Sequence, residues 1–114
     1  MASPYKLSIL SAARREIHEI ARLHMALVGP QSARKITNKF KKSLSLLKAQ
    51  PHMGAPIHDE VLRRAGYRML ISGVYLCVYR LIGNTVFVYH VVDGRTNYPR
   101  LLSGLPQTDQ EPLS

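Results

Sequence analysis

The chain has no tryptophan and a single cysteine, Cys77, among its 114 residues. One cysteine excludes a disulfide within the chain. Its place inside the apolar run "VYLCVYRLI" reads as a buried thiol rather than a nucleophile. No apolar run approaches the roughly 18 residues of a membrane-spanning helix. The opening "MASPYKLSIL" alternates after one lysine and lacks the long apolar stretch of a signal peptide, so a cytoplasmic protein is expected. Acidic residues are scarce: seven Asp and Glu stand against sixteen Lys and Arg, a net charge of +9. Two of those acids, Asp109 and Glu111, fall in the last six residues, so the rest is more basic still. Such a surface attracts polyanions, whether nucleic acid, ribosomes or an acidic protein. There is no Walker loop, no GxGxxG and no paired-cysteine spacing. His18 and His24 do not share a helical face, and His52 and His58 sit in a turn-rich loop, so neither a metal nor a cofactor is expected.

What is present is enough for one modest core, with 46% hydrophobic residues. "YKLSIL" (5–10) alternates as a first strand. Ser11 then suits an N-cap, and residues 12–28 carry apolar positions at helical spacing. Gly29-Pro30 breaks that helix and opens a second one over 31–49. Ala33, Ile36, Phe40, Leu44 and Leu47 step by three, four, four and three along one buried face of this helix. Its other face carries Arg34, Lys35, Lys39, Lys41, Lys42 and Lys48 with no acid, either a solvated face or a surface for a polyanion.

After the turn-rich "QPHMGAPIHDE" come three strand-like runs, 66–71, 74–82 and 85–92, with Ser72-Gly73 and Gly83-Asn84 as hairpin turns. The order β-α-α-β-β-β makes an α+β domain over residues 1–102: a helical hairpin on one face of a mostly antiparallel sheet. Residues 103–114 hold few apolar side chains and are expected to form a flexible tail. Alternation puts Arg68 and Arg80 on a strand face, and an internal strand seldom buries an unpaired arginine. Both are therefore expected on the face away from the helices, with Arg95 at the sheet's end. Three guanidiniums there would make a phosphate receptor, or simply a soluble surface. His90 lies in the last strand, as a hydrogen-bonded structural histidine or as a general base near neutral pH.

Taken together, Pro51-x-x-Gly54, "GYRML" (66–70), "YLCVYR" (75–80) and "VDGRTNY" (92–98) resemble the RelE/ParE superfamily, toxins of type II toxin–antitoxin modules. The resemblance covers roughly residues 5–102. It implies a small α+β toxin neutralised in a hetero-oligomer by an acidic antitoxin. RelE-like members cut mRNA on the ribosome; ParE-like members poison DNA gyrase without being nucleases. The ribonuclease reading, expected here ahead of gyrase inhibition, uses attack by a ribose 2′-OH to leave a 2′,3′-cyclic phosphate. In that reading Arg68, Arg80 and Arg95 contact phosphate, His90 acts as base, and Tyr98 acts as acid or stacks on a base. Leu76 stands where RelE-like members carry a further arginine, a departure that Arg80 would have to make good.

Overall fold

The structure, a computed structural model, describes residues 4–113; the first three residues of the expected domain and the last of the expected tail lie outside that range. Strand β1 (Lys6–Ile9) leads into helices α1 (Ser11–Leu27) and α2 (Pro30–Ala49). The short strand β2 (Ala55–Pro56) and helix α3 (Glu60–Arg64) follow, then β3 (Arg68–Ser72), β4 (Tyr75–Ile82), β5 (Thr85–Asp93) and the single turn α4 (Pro99–Leu102). Ser11 is the first helical residue rather than the cap: Leu10 holds that position, pulled into the core by its side chain. Between the helices Gly29 has φ of 130°, a conformation that costs a glycine nothing, and Pro30 supplies the fixed φ of a first helical turn.

The sheet order is β1-β5-β4-β3-β2. Strand β1 runs parallel to β5, and the helical hairpin makes the crossover between distant parts of the chain. Strands β3, β4 and β5 form the expected antiparallel meander. Its second turn is Gly83-Asn84 as expected; the first falls one residue late, at Gly73-Val74, because Ser72 pairs with Tyr75. The β4–β5 ladder shifts register between Val78, which faces His90, and Tyr79, which faces Val88. Tyr89 is the extra residue of that bulge.

Both sheet faces are covered. On one, Ala13 of α1 and Ile36, Phe40, Leu44 and Leu47 of α2 pack on Cys77, Tyr79, Val86, Val88 and Val91. That is the expected stripe on the expected sheet. The other face was expected to be open. Instead Leu10, Ile57, Leu62 of α3 and Leu105 close over Tyr67, Val78, Phe87 and Tyr89. Helix α3 is set by Asp59, whose carboxylate accepts the Leu62 amide at 3.0 Å. Leu105 lies in the segment read as too polar to pack, yet it is buried. No helix among the described residues is long and apolar enough to cross a membrane.

Candidate functional site

The hook after β5 is held by Asp93. Its carboxylate accepts the Arg95 backbone amide at 2.8 Å and the Arg95 guanidinium at 3.0 and 2.7 Å. Its carbonyl accepts both the amide and the hydroxyl of Thr96. Gly94 passes so close to the β3–β4 turn that a Cβ would stand 3.2 Å from the Val74 carbonyl and from Leu76, a tight fit that favours glycine there. The bonds from the Arg95 side chain and backbone hold the Asp93 carboxyl down at about 2. The Arg95 side chain is 72% exposed, so this pair is solvent-screened and exchangeable for another anion. Of the five expected site residues, Arg95 alone is exposed.

Arg68 and Arg80 do not share a face. Alternation orders side chains within a strand, but only register relates one strand to the next. Arg68 pairs with Tyr79 and so lies on the helix side; Arg80 pairs with Phe87 and lies on the other. Arg68 donates to the carbonyls of Gly54 (2.6 Å) and His52 (3.2 Å). The Tyr79 hydroxyl accepts the Gly54 amide at 2.9 Å and donates to the Pro51 carbonyl at 2.8 Å. A Cβ on Gly54 would stand 2.6 Å from that hydroxyl. The Pro-x-x-Gly turn is therefore bolted to the sheet by Arg68 and Tyr79, a structural use of both side chains.

Arg80 is not on an open surface: it is 0% exposed. Its Nε donates to the Tyr89 hydroxyl at 2.9 Å, and its Nη1 to the carbonyls of Ala65 (3.2 Å) and Thr108 (2.6 Å). The guanidinium carbon lies 4.5 Å from the centroid of the Tyr67 ring and 5.3 Å from that of Tyr89. Neither tyrosine was assigned to the site from the sequence, because their nearness to Arg80 is set by the β3–β4 register and the β4–β5 bulge. Burial pushes the Tyr67 hydroxyl far above the usual phenol range.

His90 has a partner too. Strand β1 stops at Ile9, and the last bond on that side is Leu10 N–H to the Val88 carbonyl. Beyond it Glu16, from α1, takes the place of a neighbouring strand: its carboxylate accepts the Val91 amide at 3.0 Å and meets His90 Nδ1 at 3.0 Å. Glu16 is an unexpected member, one of only seven acids in the chain.

Tyr98 precedes α4 and lines a cleft of about 390 Å³ with Ile57, His58, Met69, Ile71 and Leu102. Arg95 is not among the residues of that cleft. At the hook's other side Tyr75, paired with Asp93, meets His24 Nε2 at 3.0 Å, and His24 Nδ1 meets the Ser32 hydroxyl at 2.8 Å. This chain of contacts ties the tip of the helical hairpin to the end of the sheet. The six basic residues of α2 are all exposed, a cationic ridge without an acid on the same helix.

The fold is one seen before. It matches a solved chain of a chromosomal ParDE toxin–antitoxin system from P. aeruginosa at 18% identity, with a TM-score of 0.67, over 81% of this chain and 98% of that one. It also matches a chain of the RelBE2 toxin–antitoxin complex from Mycobacterium tuberculosis at 24% identity, TM-score 0.57, over 82% of this chain and 94% of that one. No curated protein matches by sequence. Residues 7–98 match the family model for the ParE toxin of the type II toxin–antitoxin system parDE. That span runs from β1 through the hook, so the chain belongs to the ParE toxin family of type II toxin–antitoxin systems.

Proposed function

We propose that this toxin acts by binding rather than by cutting, and that its target is DNA gyrase. The observation that supports the reading is the dispersal of the candidate catalytic set. A ribonuclease must bring base, acid and cations within hydrogen-bond reach of one phosphate. Here Arg68 is committed to carbonyls on the helix side, and Arg80 is sealed on the opposite side. His90 is engaged by Glu16, and Tyr98 faces the apolar cleft. Arg95 is the remaining cation of the set, and Leu76 occupies the position where a partner for it was expected. The protein would work in the cytoplasm, held as a hetero-oligomer by an acidic antitoxin drawn to the α2 ridge and the hook.

The test induces the toxin without its antitoxin and examines gyrase and mRNA in the same cells. Accumulated gyrase–DNA cleavage complexes with intact mRNA are the expected result. Ribosome-phased mRNA cuts that disappear in Arg95→Ala would overturn it and return the ribonuclease reading.

A further inference from the structure

The second sheet face holds a charge that no carboxylate of the described residues pairs with. An arginine keeps its charge in any protein environment. Yet among the described residues no carboxylate lies within ion-pair distance of Arg80. Its acceptors are a hydroxyl and two carbonyls, all neutral, and its Nη2 is buried without any partner. A buried cation with no counter-charge, and with one nitrogen lacking an acceptor, is costly and calls for an explanation.

The cover above it is slight. Beyond α4 the chain is anchored by the Leu105 side chain and by the Leu105 amide, bonded to the Leu102 carbonyl at 3.1 Å. Two further carbonyls reach inward: Pro106 accepts the Tyr67 hydroxyl at 2.7 Å, and Thr108 accepts Arg80. Residues 106–111 are otherwise exposed, so Leu105 is the one side chain by which this strap is seated in the core. Its exposed acids, Asp109 and Glu111, favour the closed position over a strongly basic body.

We infer that residues 103–109 form a detachable strap over an oxyanion site built from Arg80, Tyr67 and Tyr89, and that the site takes a phosphate group. Lifting the strap removes acceptors only. It frees an Nη1 proton and the Tyr67 hydroxyl beside the orphaned Nη2, while Tyr67 and Tyr89 still wall the guanidinium. The result is a pocket of donors on two adjacent guanidinium nitrogens plus one phenol. A planar carboxylate spends both of its oxygens in the plane of the guanidinium fork and has no third oxygen to offer. A tetrahedral phosphate fills the fork with two oxygens and offers a third to Tyr67. The inference does not rest on the gyrase reading: with the strap open Arg80 still lies on the opposite sheet face from Arg68, and at the opposite end of β4 from the hook.

The test uses the full chain. Hydrogen exchange is followed at the bonded amides of Gly104 and Leu105 with inorganic phosphate, with a 5′-mononucleotide, and with chloride at equal ionic strength. Phosphate should raise exchange at these amides several-fold and chloride should not. A nucleotide acting at lower concentration than inorganic phosphate assigns the source to nucleotides; equal potency assigns a free oxyanion. In parallel, Leu105→Ser, which loosens the strap, should bind phosphate about tenfold more tightly by calorimetry, because the competent fraction rises. Arg80→Gln added to it should abolish that gain. Unchanged exchange in the native chain, which needs no variant to fold, overturns the inference and leaves Arg80 as a stitch between carbonyls. So does a Leu105→Ser chain that binds no more tightly.

Discussion

The two faces of the sheet are covered in opposite ways. On the helix side two long elements lay down an aliphatic layer in which Leu47 is wholly buried and Cys77 nearly so. On the other side a one-turn helix, a loop, a five-residue helix and one leucine of the tail are tiled over two tyrosines and an arginine. The first cover is bought by periodicity within single elements. The second depends on pieces too short to hold a fold by themselves, three of them seated by one buried side chain each: Ile57 in the loop, Leu62 in α3 and Leu105 in the tail. Stability therefore belongs mainly to the helix side, and freedom to rearrange belongs to the other.

The sharpest way to break this comparison is Leu47→Ala. Leu47 has no exposed surface, and the residues around it on α2 and β4 are fixed by long elements that cannot close a void. A loss of about 4 kcal/mol is expected, read as a fall in the urea midpoint. The matching change on the other face, Leu105→Ala, should cost about 2 kcal/mol, because a strap anchored by one side chain can collapse or lift instead of leaving a cavity. Its larger effect should be local, with faster exchange at the Leu105 amide and little change on β5. Equal losses at the two positions would mean that the strap is as integral as the helices.

The same contrast explains what could be read before the structure. The three-four-four-three spacing of Ala33, Ile36, Phe40, Leu44 and Leu47 is a property of one helix, so it appears in the sequence and survives folding. The meander and the Gly83-Asn84 turn are local in the same sense. The cover of the second face is not: α3 and α4 are shorter than any window in which periodicity can register, and Leu105 is a lone apolar residue in a polar stretch. The site suffered from the same limit. Alternation sorted Arg68 from Tyr67 and Arg80 from Tyr79 correctly within each strand. Which side of β3 matches which side of β4 is a matter of register, and Arg68 paired with Tyr79 rather than with Arg80's side. Likewise His90 could be seen, but Glu16 reaches it only because β1 ends where it does. The family resemblance did carry through, since its motifs name turns and strand ends that keep their order whatever the register.

The smallest expected effect probes how dry the helix side is. Burial pushes the Cys77 thiol up to about 12, against roughly 8.5 in an unfolded chain. A raised value means that the native state binds the proton more tightly than the unfolded chain does. The contribution is complete below the unfolded value and is lost as pH rises toward 12. By pH 9.5 the loss should reach about 1 kcal/mol. Burial also raises Tyr67, Tyr75 and Tyr79, so total alkaline sensitivity would not isolate the thiol. The difference between the native chain and Cys77→Ala does, because the tyrosines are common to both and the cost of the missing sulfur is the same at every pH. Urea midpoints of the two chains should draw together by about 1 kcal/mol between pH 7 and 9.5. If they stay parallel, water or a neighbouring donor stabilises the thiolate, and the helix side is no drier than the face that buries Arg80.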